Sequence, residues 1–316
     1  MAEPQLTAVT RTQGNNEALK NGTVSPHGFR FAFEEVPVLV RAFRRMVRGL
    51  EFDVSEMALT TYLVAKAYGA QFTAVPAFLV RGFHHGAILH NPASGIREPR
   101  DLEGRRVGVN RGYTVTTGVW ARAVLQEEYG VDLSRVTWVL SGDEHVAEYR
   151  PPANVVPAEE GRSLEQMLID GELAATIGVN STDPRLAPLI PDPDEAGFAA
   201  LSARGLYPIN HLVVVKDELL RARPELGAEV FDAFARAKQS YVERLGKGAI
   251  ESPTATDVMY RRVMDLTGGA DPLPYGIEPN RAVLEELMRH AVDQRILSGS
   301  LPLDELFAES TRDLTA

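Results

Sequence analysis

Apolar residues fall into two textures along this chain. Short unbroken apolar runs alternate with longer stretches in which they recur about every three or four positions, so strands are predicted to alternate with helices. From Phe33 to Leu50 the stripe Leu39, Val40, Phe43, Met46, Val47 and Leu50 predicts an amphipathic helix, with Pro37 in its first turn and Gly49 at its C-cap. Arg41, Arg44, Arg45 and Arg48 fall mostly off that stripe and form a solvated face. Ser55 has the chemistry of an N-cap for a second helix running to Tyr68 and stopped by Gly69. Strands are predicted over 72–80, 87–90 and, after a turn at Glu103-Gly104, over Arg106–Val109. Thr116 or Thr117 caps a helix through Glu128 that ends at Gly130, and 136–140 is a further strand. Ser163 and Gln166 have capping-box spacing before LEQMLID, with Gly171 ahead of a strand over 174–179. Beyond the Pro/Asp-rich loop PLIPDPDEAG, a strand over 211–215 leads into two helices split at Pro224. Val283, Leu284, Leu287, Met288, Ala291 and Val292 then share one face of a helix that follows Pro279.

This alternation defines an α/β protein with mainly parallel sheets. Residues 1–103 and 206–316 are expected to form one discontinuous lobe, with 104–205 inserted as a second, and a ligand cleft between them. No internal repeat or low-complexity tract interrupts the pattern.

Composition narrows the function. The 316 residues include no cysteine, which excludes disulfides, thiolate metal sites and cysteine nucleophiles. A net charge of −10 leaves no global basic footprint for nucleic acid. No apolar run has the length of a membrane span, and MAEPQLTAVTRTQGNNEALKNG lacks the layout of a secretory signal. With a start at Met1, this points to a cytoplasmic protein that engages no membrane. The charge is uneven, however. Residues 1–111 carry 14 Lys and Arg against 10 Asp and Glu, and Glu56 is the only carboxylate from Val54 to Arg97. Lys66, Arg81, His84, His85, His90 and Arg97 share that stretch, a bias suited to a small anion or to ordinary variation in charge.

Several groups could act on such an anion. Ser55 and Glu56, if they open a helix, stand beside free amides and the positive end of its dipole. Asn110, Arg111, Gly112, Tyr113, Thr114, Val115, Thr116 and Thr117 form a strand-to-helix loop whose hydroxyls and first-turn amides could cradle a carboxylate, with Arg111 as a forked anchor. An ordinary capped connection has the same residues. His84 and His85, with Arg81 close by, could carry protons near neutrality, or simply be hydrogen-bonded structural residues. His145 is a weaker candidate on a loop, and His211 begins a strand where the chain returns to the first lobe. No HExxH or His-x-His spacing marks a metal site, no GxSxG elbow a serine hydrolase, and no Gly-rich phosphate loop a nucleotide cofactor.

The segments DLEGRRVGVNRG, LIDGELAATIGV and YPINHLVVVKDELL resemble the type II periplasmic-binding-protein fold. Within it, EFDVSEMALTTYL (51–63), VRGFHHGAILHN (80–91) and NRGYTVTTGVWARAVLQEEYGVD (110–132) are similar to the 4,5-dihydroxyphthalate decarboxylase family, over roughly residues 20–300. LTAVTRTQGNN and SGDEHVAEYRPPANV depart from the family's usual pattern. The resemblance implies cofactor-independent loss of one carboxylate from 4,5-dihydroxyphthalate, giving protocatechuate, in aromatic-compound catabolism. Its expected catalytic groups are His85, Glu56 and His84, a histidine shuttling the proton and Glu56 orienting it, since a nearby carboxylate favours the imidazolium. Ser55, Arg81, Asn110, Arg111, Thr114, Thr116, Thr117, Asn180 and His211 are the expected substrate-binding residues. No metal or organic cofactor is expected, the partner is a small aromatic carboxylate, and self-association is left open. A non-catalytic binding protein or sensor for an aromatic carboxylate, and a decarboxylase of a related hydroxylated acid, are the alternatives.

Overall fold

The computed structural model describes residues 3–316; the Met1 start lies outside them. Its elements in chain order begin with β1 (Gln5–Val9), α1 (Glu17–Lys20), β2 (Arg30–Phe33), α2 (Leu39–Gly49), β3 (Val54–Ala58), α3 (Leu59–Ala67) and β4 (Phe72–Arg81). There follow β5 (Ile88–His90), β6 (Arg106–Val109), α4 (Thr116–Glu127), β7 (Thr137–Leu140), β8 (Val155–Pro157), α5 (Leu164–Ile169), β9 (Ala175–Ile177), β10 (Ala187–Pro188) and α6 (Pro193–Arg204). The chain closes with β11 (Ile209–Lys216), α7 (Asp217–Ala222), α8 (Leu226–Gly246), α9 (Ala255–Leu266) and α10 (Arg281–Asp293).

These elements make two compact units. The first comprises the chain up to Arg81, Ile209–Leu284 and Leu301–Ala316; the second comprises Gly82–Pro208 and Glu285–Ser300. Both boundaries differ from the expected 104 and 205, for reasons of pairing. β5 lies ahead of residue 104 yet pairs antiparallel with β9, Ile88 opposite Ile177. Residues 285–300 also join the second unit, where the Gln294 side chain accepts from Arg122 Nε at 2.8 Å and donates to the Val119 carbonyl at 3.0 Å.

The first unit's sheet has the order β2-β1-β3-β11-β4. β2 and β3 flank β1 in parallel, while β11 runs antiparallel to both its neighbours. All five residues of β3 are buried, as befits a strand covered on both faces. α8 packs along β4 with Val230 and Phe234 fully buried, each contributing about 1.5–3 kcal/mol. The second unit's sheet has the order β10-β5-β9-β6-β7-β8, parallel from β9 through β8. Val139, Leu164, Met167, Leu168 and Leu173 form a core cluster there.

Three local expectations are corrected. Arg30–Phe33 is a strand paired with β1, so the first amphipathic helix begins only at Leu39, after Pro37; Leu50, with φ 49°, turns its end and Gly49 stays helical. Ser55 is not a helix cap: it lies within β3, and α3 starts after Ala58 with no side-chain cap. Neither Thr116 nor Thr117 caps α4; both are helical, and Val115 holds the cap position. Ser163 does cap α5, accepting the Gln166 amide at 3.1 Å.

Candidate functional site

In the first unit, the antiparallel register of β3 and β11 sets Glu56 opposite Val213 and His211 opposite Ala58. Glu56 is fully buried, so its carboxylate must find partners within the fold. Oε1 lies 2.6 Å from His211 Nδ1, and Oε2 accepts the Arg11 amide at 2.9 Å. Phe43 meets the imidazole edge to face at 5.3 Å. β11 shifts register against β4 between Ile209 and Val213, the irregularity that re-aims side chains on a strand. His211 thereby spends Nδ1 on Glu56 while its side chain stays about 18% exposed. The imidazole partner of Glu56 is thus His211, and the expected orientation of His84 or His85 by Glu56 gives way to a pairing across adjacent strands.

Arg11 begins the loop at the carboxyl end of β1, the end at which open α/β sheets bind ligands. That loop, with α8 and α9, walls a pocket of about 540 Å³. Gly14 lets the loop lie against the ring of Tyr241, because any Cβ there would overlap the ring. Tyr260, also on the wall, accepts the Arg81 amide at 3.4 Å; burial pushes its phenol up to about 12, and that hydrogen bond offsets part of the rise. Arg81 itself is buried, with Nη1 donating to Asn280 Oδ1 at 2.8 Å. Ser55 Oγ donates to the Glu56 carbonyl at 2.7 Å, which gives it a place inside the strand.

In the second unit, the Asn110–Thr117 loop does gather donors around a carboxylate, but the carboxylate is the protein's own. Glu144 accepts the Tyr113 amide at 2.5 Å, and its other oxygen accepts the Thr114 amide at 3.2 Å and the Thr114 hydroxyl at 2.6 Å. A Cβ on Gly112 would sit 2.5 Å from Glu144, so glycine is needed for the approach. Behind the loop, Arg122 is fully buried, stacks 3.9 Å over Tyr113 and donates to the Tyr113 carbonyl at 2.7 Å. Desolvation lowers the pKa of its guanidinium. Asn110 donates to the Gly178 carbonyl at 2.7 Å, and the Arg111 amide donates to Ser141 Oγ at 2.8 Å. Arg111 is exposed with φ 72°, Thr116 is buried, Thr117 is half-buried, and Asn180 is exposed beyond β9.

His84 and His85 are buried in this unit. His85 Nε2 lies 2.9 Å from Glu128 Oε2, while Arg204 donates to Oε1 of the same carboxylate at 2.7 Å. Phe83 stacks with His85, Phe198 and Tyr207 around the pair. The Glu128 carboxylate thus bridges His85 and Arg204 beside this aromatic cluster. His145 is buried on the loop that carries Glu144. Among the described residues, no group of three or more His, Cys, Asp or Glu is placed to hold a metal ion, and no helix is long and apolar enough to cross a membrane.

Reading by spacing missed Glu144 as the carboxylate in the loop, and Arg11, Gln13 and Asn15 as pocket residues. The second omission had a signal: a polar, glycine-containing loop directly after an apolar first strand.

The two sheets and their strand orders define a protein of the periplasmic-binding-protein-like fold. A Candida albicans protein described as exhibiting the generic periplasmic binding protein structural fold matches with a TM-score of 0.54 at 13% identity, over 98% of this chain and 96% of that one. The alkanesulfonate-binding protein SsuA of Xanthomonas axonopodis pv. citri matches with a TM-score of 0.51 at 16% identity, over 97% and 99%. No family model matches the chain. Curated relatives carry the assignment further. Over 284 residues the chain is 31% identical to a 4,5-dihydroxyphthalate decarboxylase of Comamonas testosteroni, covering 84% of each. A protein of the same name from Pseudomonas putida is 36% identical over 177 residues, 51% of this chain and 68% of that one. The chain belongs to the 4,5-dihydroxyphthalate decarboxylase family, and decarboxylation is the reaction class that membership assigns to it.

Proposed function

We propose that this protein removes one carboxylate from 4,5-dihydroxyphthalate to give protocatechuate, with His211 and Glu56 as the proton-carrying pair. The relatives' names support the substrate, and the 2.6 Å contact between Glu56 and His211 carries the assignment of the pair. Direct loss of carbon dioxide would leave an in-plane aryl carbanion, which is prohibitive. A hydroxyl para to the departing carboxylate offers another route: it loses its proton, the ring carbon bearing the carboxylate gains one, and a dienone forms. The carbon–carboxylate bond then breaks, its electron pair restores the aromatic ring as a phenolate, and the phenolate takes up a proton. One proton is consumed and one carbon dioxide released. The ring is its own electron source, so the route needs no pyridoxal, thiamine or flavin.

The protein's tasks are to hold the ring, stabilise the phenolate and deliver the proton. With Nδ1 committed to Glu56, Nε2 is the ring atom of His211 that exchanges its proton with the substrate. The fixed tautomer and orientation are what a buried carboxylate beside a histidine provides. The test is incubation with 4,5-dihydroxyphthalate and with phthalate in deuterated water. Carbon dioxide from the first alone, with deuterium at the vacated ring carbon, is the expected outcome. Binding of 4,5-dihydroxyphthalate without carbon dioxide would make the protein a sensor and end the proposal.

A further inference from the structure

The main-chain donor on Glu56 belongs to the peptide that joins Thr10 to Arg11. A trans peptide unit is planar, so its carbonyl and its N–H point in opposite directions and move together. The N–H end of this unit meets Glu56 Oε2 at 2.9 Å. The carbonyl end meets the Lys20 ammonium, which donates to the Thr10 oxygen at 2.8 Å. Lys20 is the last residue of α1, and its side chain is only 7% exposed. It also donates to Thr12 Oγ1 at 2.9 Å, one residue past Arg11, and its Nζ lies 5.4 Å from the centre of the Phe33 ring. Glu35, a largely exposed carboxylate, pairs with it from the solvent side. Asn16, fully buried, holds the rest of the loop: Nδ2 donates to the Arg11 carbonyl at 2.9 Å and to Thr10 Oγ1 at 3.3 Å, and Oδ1 accepts the Gln13 amide at 2.8 Å. Lys20, the Thr10–Arg11 peptide, Glu56 and His211 thus form one continuous hydrogen-bonded line.

We propose that Lys20 is a positioning residue for the decarboxylation: by holding and polarising the Thr10–Arg11 peptide it fixes Glu56, and through Glu56 the imidazole of His211. Two effects act through the same peptide plane. Anchoring the carbonyl keeps the plane from turning, so the N–H stays on Oε2. A cation on the carbonyl also makes the N–H a stronger donor, because linked hydrogen bonds polarise one another where the dielectric is low. The charge of Glu56 is then shared between peptide and imidazole instead of resting on the imidazole alone. The exposed Glu35 carboxylate contributes little, since water screens it. The inference rests on the assignment of Glu56 and His211 as the proton-carrying pair.

The test separates chemistry from binding. Lys20→Met keeps the apolar stem and removes the ammonium, so kcat for 4,5-dihydroxyphthalate should fall about tenfold while KM stays within about twofold. Glu35→Gln should leave both at their wild-type values. A second readout needs no turnover. The proton held between His211 Nδ1 and Glu56 should give a downfield proton NMR resonance of the full chain, assigned by its loss in His211→Asn, and that resonance should shift in Lys20→Met. A mere loss of stability would lower the folded fraction and leave the resonance in place. Should Lys20→Met not fold, Lys20→Gln takes its place in both measurements, with the same changes expected. A folded variant with wild-type kcat, a KM that moves as much as kcat, or a resonance at its wild-type position overturns the inference and leaves the reaction standing. A resonance that shifts in a protein releasing no carbon dioxide would keep the link from Lys20 to the pair and end the reaction assigned to it.

Discussion

Glu56 and Glu144 are both carboxylates captured by main-chain amides, and what each has left over differs. Glu56 takes one amide, from Arg11, and keeps its other oxygen for an imidazole. Glu144 takes two amides and a hydroxyl, all from the Tyr113-Thr114 turn. The first arrangement passes its influence to a titratable ring that is itself partly exposed. The second braces the turn it stabilises and favours the charge of the buried Arg122 behind it. Capture of a carboxylate by a loop is therefore no sign of a ligand site; the sign is a partner with a second face still open.

Substitutions can break that contrast. The largest effect is expected at His211→Asn, which should lower turnover by about 10²–10⁴-fold while affinity for phthalate, measured on the same folded protein, moves only a few-fold. Glu56→Gln keeps an acceptor for the Arg11 amide but removes the charge, and should also lower turnover. Equal losses of turnover in Glu144→Gln and His211→Asn would erase the distinction between the two carboxylates.

Glu144→Ala should instead cost about 2–3 kcal/mol of stability in denaturant unfolding, because the Tyr113 and Thr114 donors lose a charged acceptor. His85→Asn should cost about 1–2 kcal/mol, since Glu128 keeps Arg204, and should leave turnover within a few-fold. The smallest effect belongs to Arg111→Gly. Relieving a left-handed arginine should raise stability by about 0.5–1 kcal/mol, and a change in phthalate affinity in that variant would report whether its side chain also meets ligand.

Much of this was legible from spacing. Ser163 caps its helix, Pro224 separates α7 from α8, and the stripe from Val283 gives α10, because each signal is local. Ser55 misled for a physical reason. A Ser-Glu pair ahead of an apolar run reads as a helix start, yet β3 is buried on both faces, with Ser55 bonded to the strand's own Glu56 carbonyl and Glu56 to the Arg11 amide and to His211 of β11. The loop PLIPDPDEAG conceals the start of α6, although Pro193 at its first turn followed by Asp194 and Glu195 was a fair signal. The partnership of Glu56 with His211 had no local signal at all. It spans 155 positions and exists only because β11 inserts beside β3.

That insertion also bears on how the protein is made. β3 and β4 emerge from the ribosome close together, but the strand that separates them, β11, follows only after the whole of Gly82–Pro208. At ordinary elongation rates the delay is roughly 6–25 s. Until then two apolar strand edges, Phe72 to Leu79 among them, stand without the neighbour that later covers them. The yield of folded protein in a cell should therefore respond to growth temperature and chaperone supply more than the finished molecule's stability does. Substitutions in β11 should show up first as lost expression.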